Sequence, residues 1–196
     1  MTAVFLAPGA GGGPDHPTLQ LLRQELDVPV HLHDFEYHRA GRRAAPRADR
    51  VVPEFSSAVE EYATDLGVTT REIVVGGRSY GGRVASMAVA GGLEVAGLIL
   101  LSYPLHPPSR PEALRTGHFP DIEVPTLFVS GDRDEFGSPG EFREAALLLG
   151  GPAEFVWLEG GRHNPSNRAQ KAGIVAAVRE FLSRLGETPD GRGPRG

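Results

Sequence analysis

The residues best suited to chemistry in this chain are a serine set between glycines and, further along, acids and a histidine that each follow an apolar run. Val74-Val75-Gly76-Gly77-Arg78-Ser79-Tyr80-Gly81-Gly82 places Ser79 two residues from a glycine on either side. A strand that turns sharply into a helix at such a serine lifts the hydroxyl clear of the sheet, and only glycine leaves room at the flanking positions. A serine hydroxyl is a weak nucleophile near neutrality; it needs a base within reach and a third group to orient that base. Leu127-Phe128-Val129-Ser130-Gly131 runs into Asp132, Asp134 and Glu135, and Val156-Trp157-Leu158-Glu159-Gly160-Gly161-Arg162 runs into His163. The order along the chain is serine, acid, histidine. Acyl transfer fits this set: Ser79 attacks a carbonyl, His163 moves the proton, and Asp134, or Asp132 beside it, holds the imidazole.

Acyl transfer also needs backbone donors aimed at the charge that develops on the carbonyl oxygen. The N–H of Tyr80, directly after the serine, is one candidate. The second is expected from Pro8-Gly9-Ala10-Gly11-Gly12-Gly13, with Ala10 preferred and Gly11 in reserve. That run has neither the spacing of a dinucleotide fingerprint nor the Gly-Lys-Ser/Thr of a phosphate loop, so it does not read as a phosphate cradle. Gly9, Arg78 and His106 are candidates for lining the substrate. His31 and His33 alternate on an apolar run and share a face, but without a third ligand they read as strand-surface histidines, and no metal site is expected. Arg39, Arg42, Arg43, Arg47 and Arg50 read as a solvated loop, with an anion or partner contact as the alternative.

Six short apolar runs must position these groups: Ala3–Ala7, Val30–Phe35, Glu72–Val75, Val95–Leu101, Thr126–Ser130 and Glu154–Leu158. Helices are predicted over Pro17–Leu26, Pro53–Leu66, Tyr80–Ala90, Pro139–Leu149 and Ser166–Leu185. Apolar runs alternating with helical stretches are the pattern of βα units around a buried, mostly parallel sheet, which makes the fold class α/β and doubly wound. Pro17 and Pro53 suit first helical turns, and Gly67 and Gly91 suit left-handed caps. Two long connections, Glu36–Val52 and Ser102–Glu123, are expected to line the site or to move. One domain is expected over 1–185, with 186–196 a frayed Gly/Pro/Arg-rich tail.

With 196 residues, 40% hydrophobic and 23% charged, the chain has a globular composition. A net charge of −5 argues against a dedicated nucleic-acid binder. Zero cysteines exclude disulfides, thiolate catalysis and cysteine-ligated metals. Met1–Ala7 has no basic leader and reads as a buried strand, and no run approaches the ~20 apolar residues that span a bilayer. A soluble, cytoplasmic protein with no membrane association is expected.

Several segments together resemble a known family. They are the Pro-Gly-Ala-Gly-Gly loop, the Gly76–Arg83 elbow, Leu101-Ser102-Tyr103-Pro104-Leu105-His106-Pro107-Pro108, Pro125–Gly137 and Gly161-Arg162-His163. From Val4 to about Leu185 the chain is similar to the small α/β-hydrolase-like domain of bacterial dienelactone-hydrolase-type proteins, testis-expressed vertebrate homologues and a subunit of the NSL chromatin complex. The resemblance implies Ser79 as nucleophile, Asp134 as acid and His163 as base. It also implies a minimal α/β-hydrolase fold: six strands in the order 2-1-3-4-5-6, without the two leading strands of a full α/β-hydrolase and without a large lid. The function it implies is cofactor-free hydrolysis of small or accessible esters or thioesters. Because some relatives serve in complexes, a catalytically weak interaction scaffold is the alternative. The chain departs from the family twice, with Pro8-Gly9 where the first loop usually opens His-Gly, and with serine where dienelactone hydrolases proper carry cysteine.

Overall fold

Strands with apolar side chains on both faces demand cover on both faces, and the chain supplies it with helices. The computed structural model describes residues 3–187. β1 (Ala3–Ala7), β2 (Val30–Leu32), β3 (Ile73–Arg78), β4 (Gly97–Leu101), β5 (Thr126–Gly131) and β6 (Ala153–Leu158) form one sheet. Its order is β2-β1-β3-β4-β5-β6 and every pairing is parallel, as the resemblance implied. The helices are α1 (Pro17–Glu25), α2 (Glu36–Arg39), α3 (Ala48–Leu66), α4 (Tyr80–Ala90), α5 (Pro139–Ala146) and α6 (Arg168–Glu187). Alternation along the strands splits the core in two. Phe5, Val75, Leu98, Leu100 and Phe128 pack with α3, α4 and α5. Val4, Leu6, Val74, Ile99 and Leu127 pack with Leu19 and Leu22 of α1 and with Ile174, Val178 and Phe181 of α6.

The loops after β1 and β3 leave the sheet toward opposite faces, because α1 and α4 cover different sides. Adjacent parallel strands whose connections part in this way open a crevice at their carboxyl ends, which is where ligands bind in open α/β sheets. Both the glycine-rich first loop and Ser79 lie at that crevice.

Several boundaries differ from the sequence expectation. β2 stops at Leu32 and β3 runs on to Arg78. Glycines 76 and 77 have poor strand propensity, yet they pair with Leu6 and Ala7 on one side and with Ile99 and Leu100 on the other. Pro53 lies inside α3 rather than in its first turn. The helix starts at Ala48 because the buried stripe Val51, Phe55, Val59, Ala63 begins before the proline. Gly67 caps α3 in the left-handed region at φ 67°, but Gly91 has φ −81°, and Gly92 carries the positive φ after α4. The Glu36–Val52 connection contains α2 and the start of α3. α6 continues through Gly186 and Glu187, and the rest of the predicted tail, 188–196, lies outside the described residues.

At Gly76 a Cβ would fall onto the Ile99 carbonyl and 3.0 Å from Ile99 Cβ, so β3 and β4 approach too closely for any side chain. Gly76→Ala should therefore lower the unfolding free energy by ~2 kcal/mol or more. Urea denaturation should show a lower midpoint at unchanged slope. An unchanged midpoint would mean that the two strands can part without cost.

Candidate active site

Ser79 directly follows β3 as the N-cap of α4, with φ 50° and ψ −113°, one of two non-glycine residues at positive φ among those described. Such a conformation costs of order 1–3 kcal/mol and persists only where the surroundings dictate it. Here its amide donates to the Leu101 carbonyl at 2.8 Å while the chain turns directly into α4. A Cβ on Gly77 would lie 2.5 Å from the Ala7 carbonyl oxygen and 2.7 Å from Gly81 C. One on Gly81 would lie 2.5 Å from the Pro8 carbonyl oxygen. The glycines are thus required by the approach of α4 to the end of β1 as well as by the turn itself.

His163 Nε2 lies 2.9 Å from Ser79 Oγ. Its Nδ1 lies 3.0 Å and 3.1 Å from the two carboxylate oxygens of Asp134. The Asp134 side chain is wholly buried, and one of its oxygens also accepts the Phe136 N–H at 2.9 Å. The Phe136 ring lies over the imidazole with centroids 4.1 Å apart. Asp132 has no such contact; its Oδ1 is buried without a hydrogen-bond partner. Of the two carboxylates left open by the sequence, Asp134 is the one that meets the imidazole.

The loops that carry these groups are joined to each other. The Arg133 amide donates to the Gly161 carbonyl at 2.9 Å, and the Asp132 amide to the Leu158 carbonyl at 3.2 Å. Gly161 and Gly131 touch so closely that a Cβ on Gly161 would lie 2.9 Å from Gly131 Cα. Arg78 ties in the remaining two loops. Its Nη2 donates to the His163 carbonyl at 3.2 Å and to Asn164 Oδ1, and its Nη1 occupies the space a Gly9 side chain would need. Gly9 in turn lies against Ser79, since a Cβ there would sit 3.7 Å from Ser79 Cβ.

Tyr80 is the first residue of α4, so its amide has no partner within the helix. Its ring packs on Phe35 and Tyr37, its hydroxyl donates to the Pro46 carbonyl at 2.9 Å, and burial raises the phenol pKa. Gly9 to Gly12 form a turn closed by a Gly12 N–H to Gly9 C=O bond of 3.1 Å, with Ala10 exposed and Gly11 at φ 70°. The Gly11 amide faces the Tyr37 hydroxyl, where it opposes the burial that raises that phenol's pKa. This makes Gly11 less available as a donor than Ala10.

Other residues singled out in the sequence fall elsewhere. His106 is buried, with Nδ1 3.0 Å from the Pro107 carbonyl and Nε2 3.4 Å from Glu141 of α5. These contacts organise the loop, and the His106 amide holds the Phe136 carbonyl at 3.1 Å. His31 stacks on Phe5 at 4.6 Å, and burial pushes the His33 pKa down to about 4. Among the described residues no group of three acidic, histidine or cysteine side chains could hold a metal ion, and no helix is long and apolar enough to cross a membrane. The Arg39–Arg50 segment keeps its arginine side chains exposed, yet its backbone closes on the site. Arg43 offers its carbonyl 3.3 Å from where a Gly11 Cβ would stand, and Pro46 receives the Tyr80 hydroxyl.

Residues 1–178 match the model of a family described as the alpha/beta hydrolase domain. The chain belongs to that family. Solved structures share the hydrolase fold at low identity. DcsB in complex with its substrate analogue is 15% identical, with 94% of this chain and 91% of that chain covered and a TM-score of 0.75. Est1E from Butyrivibrio proteoclasticus with bound ferulic acid is 17% identical, with 94% and 89% covered and a TM-score of 0.72. The RedJ thioesterase of the prodiginine pathway in Streptomyces coelicolor is 14% identical, with 91% and 85% covered and a TM-score of 0.66.

Sequence reasoning did not foresee the role of Arg78 as a tie between loops, nor Asn164 and Phe136 as neighbours of this hydrolase domain's histidine. Arg78 sits between two required residues in the elbow, which was the one available signal. Arg78→Met should speed amide exchange at residues 161–164 by roughly tenfold, the equivalent of one charge-assisted hydrogen bond, while β3 and β4 amides keep their rates. Equal exchange in both proteins would show that the histidine loop holds itself.

Proposed function

We propose that the protein is a serine hydrolase of small or accessible carboxylic esters or thioesters, working with its own side chains and no cofactor. The reading rests above all on the unbroken hydrogen-bonded chain from Ser79 Oγ through His163 to Asp134. In this mechanism Ser79 Oγ bonds to the substrate carbonyl carbon and passes its proton to His163 Nε2. Asp134 accepts from Nδ1–H, fixing the tautomer and stabilising the imidazolium. The amides of Tyr80 and Ala10, with Gly11 in reserve, hold the oxyanion. The tetrahedral adduct collapses, His163 gives its proton to the leaving alcohol or thiol, and an acyl-serine remains. Water, deprotonated by the same imidazole, then releases the acid and restores Ser79.

The strained Ser79 backbone weighs against a scaffold, because binding alone gives no reason to retain a φ of 50° at that serine. Within the family we group the chain with the small dienelactone-hydrolase-like domains, on its Leu101–Pro108 segment. A cytoplasmic setting and small-molecule partners, rather than nucleic acid, accompany this reading.

A fluorophosphonate probe should label the purified protein at Ser79, and labelling should disappear in Ser79→Ala and in His163→Ala. Folded wild-type protein that fails to label would remove the proposal. The acid has its own test. Asp134→Asn should cripple ester turnover, whereas Asp132→Asn should stay within about tenfold of wild type, the scale of one lost neutral hydrogen bond. The opposite ranking in steady-state kinetics would transfer the role to Asp132.

A further inference from the structure

One helical turn beyond Ser79 stands a group of cations that the mechanism does not use. The Arg83 amide donates to the Ser79 carbonyl at 3.1 Å, which fixes the start of its side chain beside the elbow. Facing it across the first turns of α4 is the β4–β5 connection with Arg110, Arg115 and His118. The wall between them is closely specified. Ser86 Oγ donates to the Arg83 carbonyl at 2.9 Å and lies 2.8 Å from His118 Nε2. The buried Tyr103 hydroxyl donates to the Arg115 carbonyl at 2.7 Å, and Arg115 Nη1 donates to the Pro104 carbonyl at 3.2 Å.

The charges in this group do not balance. Arg83 and Arg115 are both half-buried, and among the described residues no carboxylate lies within 4.0 Å of Arg83, Arg110 or Arg115. Of the acids that act on neighbouring groups, Asp49 is held by Arg47 at 3.1 Å, and Asp121 acts on His118. Arg83 and Arg115 repel each other, and burial together with Arg83 lowers the Arg115 pKa. Burial pushes His118 down to about 4, so it is neutral here and can accept or donate. Most telling, Arg83 Nε is shut off from solvent with no hydrogen-bond partner. A buried, unpaired donor of a charged group costs more than a neutral one. The free amides at the start of α4 add positive potential on the same side. An anion meeting the open edges of these half-buried guanidinium groups would offset their repulsion.

We propose that Arg83 and Arg115 bind a carboxylate or phosphate carried by the substrate, so that the ester or thioester cleaved at Ser79 is an anionic one. The substrate part of this statement rests on the hydrolase reading; the anion site does not. Two guanidinium forks suit the paired oxygens of either group, and the place of Arg83 one helical turn from Ser79 lets a single molecule reach both.

The test compares mono-4-nitrophenyl adipate with 4-nitrophenyl hexanoate, which match in length and differ in the terminal charge. Wild type should show kcat/KM for the adipate at least about tenfold higher at low salt, the scale of one charge-assisted hydrogen bond. That ratio should fall toward one in Arg83→Gln and Arg115→Gln, and toward one in wild type at 1 M NaCl. Arg83→Lys keeps the charge and part of the ratio, which covers the case in which the glutamine variant folds poorly. A wild-type ratio near one, or a ratio unchanged in Arg83→Gln, would overturn the proposal while leaving the hydrolase reading in place. Calorimetric titration of adipate and of inorganic phosphate into Ser79→Ala protein decides the matter without turnover. Saturable binding lost in Ser79→Ala/Arg83→Gln upholds the anion site even if neither ester is cleaved and Ser79 does not label, and the tighter of the two ligands tells carboxylate from phosphate. No binding of either, alongside no preference for the adipate, overturns it.

Discussion

The closeness of the first turn of α4 to the end of β1 governs the rest of the site. At Gly77 and Gly81 the backbones meet with no space for a Cβ. That contact forces the chain to reverse within one residue, and Ser79 is the residue that takes the strain. It also brings the loop after β1 against the elbow, so Gly9 lies against Ser79. The strain, of order 1–3 kcal/mol, is about what one well-buried Leu or Phe returns on leaving water. Phe5, Leu100 and Phe128, all but fully buried around the same strands, offset it several times over. The strained serine is therefore a small local cost borne by a large parallel core.

Much of this was legible because local chemistry and global position agree. Glycines around Ser79, an acid after β5 and a histidine after β6 are each placed by a strand that the apolar pattern reveals. The misread elements are those whose cause lies outside their own segment. α2 has no side-chain cap on its own N-cap residue, Phe35; instead the Glu36 amide donates to Glu54 of α3 at 2.6 Å, eighteen residues away. No local pattern announces such a helix. β3 continues through two glycines because its neighbours on both sides supply the ladder. The choice between Asp132 and Asp134 turned on which way a short loop faces, and that is set by Gly131 and Gly161 in contact across two strand ends. Sequence spacing alone contains nothing about that contact.

The two sides of the site are built differently. Asp134, His163 and Ser79 are joined by backbone bonds between adjacent strand ends and by the Arg78 guanidinium, so their spacing follows the sheet. The opposite rim consists of residues 40–47 and the β4–β5 connection, which lie outside the sheet and are held by backbone bonds such as Arg115 N–H to the Leu105 carbonyl and by side-chain contacts such as Tyr80 to Pro46. Loops that wall a crevice can vary in sequence while the strand ends keep their places, which is how one fold supports many substrates.

The net charge of −5 describes the whole chain and misdescribes this edge of it. Arg71–Glu94, Arg179–Glu25 and Arg184 with Glu154 and Glu180 are exposed pairs on surfaces away from Ser79, where they neutralise one another. At the carboxyl edge of the sheet Arg42, Arg43, Arg78, Arg83 and Arg115 have no carboxylate within pairing distance among the described residues. Parallel topology adds to this. α4 begins directly after β3, and α1, α5 and α6 follow β1, β5 and β6 by short connections, so the positive dipole ends of these helices face the carboxyl edge. Asp134 is the one acidic residue in the buried class among the described residues, and it is set into that positive surrounding beside His163. A fold that directs helix N-termini and unpaired guanidinium groups toward one crevice is electrostatically suited to negative charge there, whether it develops on a carbonyl oxygen during reaction or arrives with the substrate.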